Sequence, residues 1–283
     1  VRNVRDLYGV IGDPIAHSLS PAMHNEVFRA LGIDADYHAF HVTPENLEAA
    51  VNGMKAIGVA GFNVTIPHKQ AIMPYLDEID LLAETIGAVN TVVRTPHGWA
   101  GYNTDGPGFM QALKEESGRV ISGEKVLVIG AGGAARAIYY TLCREGAVTV
   151  DLCNRTVKKA EEMRDESPFP CPSKVLTLKE AEEQLGEYTL IVQTTSIGMH
   201  PNTDAQPLSV RNLNPDAFVS DIIYNPFETK FLNEAKKRGA RVQNGLGMFI
   251  YQGAIAFEKW TGVKPDTRKM KNVVESILGG NSC

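Results

Sequence analysis

The sequence predicts an α/β fold, and three features point to it. Short β-branched and apolar runs alternate with amphipathic helical stretches along most of the chain, which is the rhythm of parallel βαβ units. One of these runs, VLVIG, feeds directly into a glycine-rich turn and an alanine-rich helix. The helix expected from Asp105 and the polar stretch SGRVISGEK after it carry the chain from one alternating region into another.

In the first region the expected strands are LYGVIG, DYHAFHV and VAGFNVT, separated by the helices PAMHNEVFRALG and PENLEAAVNGMKAIG. A helical stretch follows Lys69. AVNTVVRTPHGWAGYNTD then reads as two strands joined by a turn from Thr95 to Gly98, so the first sheet is small and mixed. The second region continues with strands in KVLVIG, AVTVDLCNR, TLIVQTT and FVSDIIY, and helices resume at GMFIYQGAIAFEKWTG.

Composition removes several function classes. A chain of 283 residues with 43% hydrophobic and 22% charged content describes one or two globular domains with a buried core. The net charge of -5 comes with no basic stripe, so nucleic acid is not expected as a partner. No apolar run is long enough to span a bilayer and the first residues lack a signal-type apolar region, which leads to an expectation of cytoplasmic location and no membrane partner. The cysteines Cys143, Cys153, Cys171 and Cys283 form no C-x-x-C pair and no metal-ligand pattern, so reduced thiols and no metal are expected.

The turn Gly130-Ala131-Gly132-Gly133-Ala134 has the strand-turn-helix context of a dinucleotide site. Gly130 permits the tight turn, Gly132 lets backbone approach a pyrophosphate, and Ala135 is the third small position, where helix packs on sheet. The helix start then presents free N–H groups to phosphate. An ordinary glycine turn is the plainer reading, and the flanking strand and helix favour the dinucleotide. The next strand ends in NRTVKK, with no acid placed for the ribose hydroxyls of NAD, because Asp151 falls within the strand. Arg155 suits an adenine face and a 2′-phosphate, Asn154 and Thr156 offer hydrogen bonds, and Lys158 or Lys159 adds charge, so NADP is expected over NAD. Taken alone, the same residues also read as a helix cap and a solvated basic face.

Eight segments in order, GDPIAHSLSPAMHN, FNVTIPHK, GAVNT, GYNTDGPG, GAGGAARA, NRT, DIIYNP and GLGMFIYQG, make the chain resemble the shikimate dehydrogenase family over nearly its whole length. The resemblance implies a discontinuous N-terminal catalytic α/β domain, residues 1–104 and 248–283, beside a Rossmann NADP-binding domain, residues 105–247. It implies reversible NADPH-dependent reduction of 3-dehydroshikimate to shikimate in aromatic amino-acid biosynthesis, by a monomer or homodimer. Two rivals are a quinate/shikimate dehydrogenase using NAD, or an analogue-specific relative, and a noncatalytic NADP-binding sensor; a sensor has no chemical need for a proton donor.

Within that frame the substrate carboxylate needs donors. Ser18 and Ser20, two apart, point the same way if their segment is extended, although Ser20 before Pro21 also reads as a cap. The resemblance adds Tyr224 to the carboxylate site. Ketone reduction needs a hydride and a proton, and Lys69, in the first turn of a helix opened by Pro67, is the candidate acid/base. Asp105 alone reads as a helix cap; the resemblance pairs it with Lys69 on the same substrate hydroxyl. The resemblance also nominates Asn63, Thr65, Asn90 and Gln252 for the other hydroxyls. Met248, four residues before Gln252 on one helix face, and Gly245 are expected at the nicotinamide. Thr195 flanks the cofactor, and Gln193 departs from the asparagine expected before it. His17, His24 and His68 are assigned no catalysis, His24 being expected as a buried, hydrogen-bonded helix residue.

Overall fold

The structure is a computed structural model and describes residues 5–280. Cys283 and the ends of the expected first domain lie outside the described residues. The described chain divides into two compact units, one running to Thr104 and resuming at Ile250, the other spanning Asp105–Phe249.

The first unit is built from β1 (Asp6–Gly12), α1 (Ser20–Leu31), β2 (Ala35–His41), α2 (Leu47–Ile57), β3 (Gly61–Val64), α3 (His68–Ala71), β4 (Glu78–Ile79), α4 (Leu81–Ile86), β5 (Thr91–Thr95) and β6 (Gly98–Tyr102). The strands order as β2-β1-β3-β5-β6-β4. β1 pairs in parallel with β2 and β3, while β5 runs antiparallel to both β3 and β6, giving the expected mixed sheet. Helices α1 and α2 stop where Gly32 and Gly58 take left-handed φ angles of 66° and 77°, which their missing side chains permit. One face of the sheet closes over Ile11, Val51, Met54, Phe62, Val64, Val92 and Trp99. Each such side chain contributes about 1.5–3 kcal/mol of apolar burial.

The second unit begins with α5 (Asp105–Ser117) and continues through β7 (Lys125–Ile129), α6 (Gly133–Arg144), β8 (Thr149–Cys153), α7 (Val157–Asp165), β9 (Val175–Leu176), α8 (Leu178–Gln184), β10 (Leu190–Gln193), β11 (Phe218–Asp221), α9 (Lys230–Lys237) and β12 (Arg241–Gln243). Its six strands are parallel in the order β12-β11-β10-β7-β8-β9. The order reverses between β7 and β10, which is where doubly wound sheets bind ligands at their strand ends. Helix α5 meets α6 closely because a side chain on Gly106 would strike Thr141. The thiols of Cys143, Cys153 and Cys171 are free.

Two helices finish the described chain, α10 (Leu246–Thr261) and α11 (Thr267–Gly280). The later turns of α10 belong to the first unit, where the Trp260 indole donates to the Val92 carbonyl at 2.9 Å. The Trp260 ring occupies the space that a side chain on Gly61 would need. Three short strands, β4, β9 and β12, are additions to the expected set, all at sheet edges.

Candidate active site

In the first unit the site candidates gather on the ends of β3 and β5. Antiparallel register sets Asn63 directly opposite Thr91. The Asn63 amide donates to the Asn90 carbonyl and to Thr91 Oγ1, each at 3.1 Å. Thr91 Oγ1 in turn donates to Asn90 Oδ1 at 3.0 Å, and Asn90 Nδ2 to Thr104 Oγ1 at 2.9 Å. The Thr104 N–H also donates to Asn90 Oδ1, at 2.8 Å. Asn63, Asn90, Thr91 and Thr104 are all buried, and such groups are stable inside protein only when paired this way.

Thr65 and Lys69 follow on the same segment. The Thr65 N–H donates to the Ile11 carbonyl at 3.0 Å, its carbonyl accepts from the His68 N–H at 2.9 Å, and the Lys69 carbonyl accepts from the Val89 N–H at 2.8 Å. The backbone carrying Lys69 is thus tied to Val89, the residue before Asn90, and its side chain is half-buried. Pro67 follows a cis peptide bond and caps α3, so the helix opens at His68 and not at the proline. The His68 ring bonds the Val42 carbonyl at 2.6 Å, a structural use of that histidine.

Two expectations are corrected here. The Ser18–Ser20 segment is a turn rather than an extended strand: the Ser18 N–H donates to the Ile15 carbonyl at 3.0 Å, and Ser18 Oγ accepts the Ser20 N–H at 3.3 Å. Leu19, not Ser20, is the cap of α1, and Ser20 is its first residue, buried. His24 is buried as expected but its two ring nitrogens have no hydrogen-bond partner among the described residues. It stacks on Tyr37 at 4.5 Å between ring centres and lies parallel to Phe257, and burial holds it neutral by lowering its pKa to about 3. His17 is exposed.

In the second unit Gly130 has φ 120°, and a side chain there would meet Thr194 Oγ1 at 2.5 Å. The turn therefore needs glycine. Gly132, the cap of α6, and Gly133 differ: a side chain at either would touch nothing within 4 Å. Protein packing does not ask for these two glycines, whereas a phosphate drawn to the helix start would fill that space. Ala131 and Ala134 are half-buried beside them, and Ala135 packs fully under the helix. At the neighbouring strand end, Gln193 holds the loop by accepting the Thr195 N–H at 2.7 Å and donating to the Thr195 and Ile197 carbonyls at 3.0 and 3.2 Å. The glutamine that departs from the expected asparagine thus shapes the Thr195 turn from within.

After β8, the Asn154 amide donates to the Thr156 carbonyl at 2.9 Å. Thr156 precedes α7 without a side-chain capping bond. Arg155 and Lys159 are exposed, and their side chains pair with nothing among the described residues; Lys158 faces Glu162. Tyr224, partly buried, stacks on Phe249 at 4.8 Å, and burial raises its phenol pKa. Gly245 has its own structural reason: the Ile222 carbonyl fills the space a side chain would need, and the Gly245 N–H donates to Ile223 at 2.9 Å. Helix α10 carries both Met248, buried, and Gln252, half-buried. Asp105, the first residue of α5, is buried. Among the described residues no group of three His, Cys, Asp or Glu side chains converges as metal ligands do, and no helix is long and apolar enough to cross a membrane.

Three family profiles match the chain: the shikimate dehydrogenase substrate binding domain over residues 10–92, shikimate/quinate 5-dehydrogenase over 112–210, and the shikimate 5'-dehydrogenase C-terminal domain over 245–275. A curated relative from Geobacillus sp., named shikimate dehydrogenase (NADP(+)), is 55% identical over 97% of this chain and 99% of its own. The chain belongs to the shikimate dehydrogenase family. Among solved structures of the family, shikimate 5-dehydrogenase from Thermus thermophilus in complex with NADP(H) and shikimate matches with TM-score 0.88 and 36% identity, covering 96% of this chain and 100% of that one. The Listeria monocytogenes enzyme in complex with shikimate and NAD matches with TM-score 0.90 and 38% identity, over 95% and 96%.

Tyr37, Thr91 and Thr104 join the polar cluster without having been singled out in the sequence. Two of them carry a signal in retrospect: Asn-Thr occurs in both GAVNT and GYNTD, and the threonines of the two pairs are the ones that hold Asn90.

Proposed function

We propose that this chain is an NADP-dependent shikimate dehydrogenase, catalysing reversible reduction of 3-dehydroshikimate to shikimate in aromatic amino-acid biosynthesis. The observation that carries the reading is the 55% identity, over nearly the full length of both chains, to a relative of that name. In this reading residues 105–247 are the dinucleotide-binding domain, two residues short of the compact unit Asp105–Phe249, and the remainder is the catalytic, substrate-binding domain.

The open space at Gly132 and Gly133 at the start of α6 fits a pyrophosphate. Gly130, Ala131, Gly132, Gly133 and Ala134 would cradle it, Asn154, Arg155, Thr156 and Lys159 would hold the 2′-phosphate end, and Thr195, Gly245 and Met248 the nicotinamide side. When bound, NADP supplies or accepts the hydride. The remaining work falls to the chain. Ser18, Ser20 and Tyr224 donate to the substrate carboxylate, and Asn63, Thr65, Asn90 and Gln252 bond the ring hydroxyls. Lys69 gives its Nζ proton to the oxygen on which negative charge develops and takes it back in reverse, while Asp105 accepts a hydrogen bond from the same hydroxyl and orients the lysine. The substrate is a small molecule, the acidic net charge argues against a nucleic-acid partner, and the reading takes the chain to be a cytoplasmic monomer or homodimer.

The test crosses shikimate and quinate with NADP⁺ and NAD⁺ and follows reduced-nicotinamide absorbance. Turnover of shikimate with NADP⁺ is expected, and Lys69→Ala should lower kcat by about 10²–10⁴-fold in a folded variant. Turnover of quinate with NAD⁺ in preference would transfer the chain to the rival activity; binding of NADP⁺ with no turnover would leave a sensor.

A further inference from the structure

Tyr37 lies on β2, outside every segment assigned to substrate, and its ring is completely buried. Its hydroxyl donates to Asn63 Oδ1 at 2.7 Å. The direction of that bond is forced. Asn63 Nδ2 faces the Asn90 backbone carbonyl, which only accepts, so the amide nitrogen must be on that side and the carbonyl oxygen must face Tyr37. Both amide hydrogens of Asn63 are spent, one on Asn90 and one on Thr91 Oγ1. Asn63 therefore has nothing left to donate, and its one remaining capacity is a second lone pair on Oδ1.

We propose that Tyr37 is a positioning residue that, together with the Asn90 carbonyl that orients the amide, holds Asn63 Oδ1 in place as a hydrogen-bond acceptor, so that Asn63 selects a substrate bearing a hydroxyl donor at the ring position it meets. The inference rests on the shikimate reading above, in which Asn63 bonds a ring hydroxyl. Burial keeps the Tyr37 phenol protonated well past its ordinary range, so the donor is present at every working pH. Its ring is held independently, stacked on His24 and tilted against Trp260 at 6.0 Å, which makes removal of the hydroxyl alone a clean perturbation.

The experiment is steady-state kinetics of Tyr37→Phe beside the unchanged protein, with shikimate, with each analogue lacking one of the ring hydroxyls that is not oxidised, and with NADP⁺ varied. The expected result is a KM for shikimate raised about tenfold, kcat within about twofold, and KM for NADP⁺ unchanged, the pattern of lost ground-state binding. At one ring position, and only one, the penalty for losing the hydroxyl should shrink in the variant, because the acceptor that reads it is no longer held. Thermal unfolding measured alongside separates this from a structural role, which would lower the melting temperature without selecting one hydroxyl. An unchanged KM for shikimate, or equal discrimination at every position in both proteins, overturns the role of Tyr37 alone. Failure of the unchanged protein to turn over shikimate overturns the underlying reading, and this proposal with it.

Discussion

The Tyr188 hydroxyl donates to Asp151 Oδ2 at 2.8 Å, and the carboxylate's other oxygen accepts the Lys174 N–H at the same distance. Asp151 is the acid nearest in sequence to where a dinucleotide fold would hold NAD ribose, yet it is buried and used to fasten β9 and Tyr188 to β8. Tyr188→Phe leaves that buried carboxylate one donor short. The expected cost is about 1–3 kcal/mol, read as a lower urea midpoint with unchanged slope. KM for either dinucleotide should not move; a selective rise for NAD⁺ would mean that Asp151 reaches the ribose after all.

Asp221 ends β11 with its carboxyl wholly buried, bonded by the Ile223 N–H at 3.0 Å and Thr229 Oγ1 at 2.8 Å. Burial dominates and pushes its pKa from 3.8 to about 7. Between those values the folded protein keeps a proton that the unfolded chain has released, so stability falls as pH rises through the window, and the cost is complete above about pH 7. Asp221→Asn removes the dependence. Its unfolding free energy minus that of the unchanged protein should climb with a slope approaching about 1.4 kcal/mol per pH unit, then level off. Urea titrations across the window check this; a constant difference sinks it.

His24 acts in the opposite sense. Its folded pKa of about 3 lies below the ordinary 6.5, so as pH drops through that interval the unfolded chain takes up a proton that the folded protein refuses. Stability is therefore lost on the acid side. His24→Phe preserves a flat ring against Tyr37 and Phe257 and should make the protein less acid-sensitive below about pH 6. Identical acid denaturation profiles for the two proteins would rule out His24 as a contributor.

What could be read from the sequence follows the size of the physical signal. The long strands and helices were legible because apolar residues repeat with period two or in continuous runs, and because Gly32 and Gly58 punctuate helix ends. β4 and β9, two residues each, and β12, three, are too short to carry a period, and only pairing to a neighbouring strand creates them. Among the site residues, Gly130 was legible for the reason that operates, its left-handed φ and the approach of Thr194. At Gly245 the sequence suggests approach of a ligand, and the structure adds a second reason for glycine, the Ile222 carbonyl that fills the space a side chain would need. The hydroxyls of Ser18 and Ser20 were set by spacing alone, which fails where a turn replaces a strand. Tyr37 was invisible because its bond to Asn63 joins residues 26 apart, through register that no local pattern encodes.

Arg155 supplies the sharpest test of cofactor choice. It is exposed, unpaired among the described residues, and stands on a turn that the Asn154 amide shapes by holding the Thr156 carbonyl at 2.9 Å. A guanidinium there gains little from the protein itself, so its removal should cost little stability. Against a 2′-phosphate it makes charge-assisted hydrogen bonds, whose loss is worth about 1.5–3 kcal/mol, or roughly ten- to hundredfold in KM. Arg155→Ala should therefore raise KM for NADP⁺ by that factor, leave KM for NAD⁺ nearly unchanged, and leave kcat for shikimate within about twofold. Lys159→Ala should act in the same direction but more weakly, because an ammonium is a point charge without the bidentate fork. The ratio of the two dinucleotides is the deciding quantity: if both KM values rise together, Arg155 supports the turn or the adenine common to both, and selection of NADP must reside elsewhere.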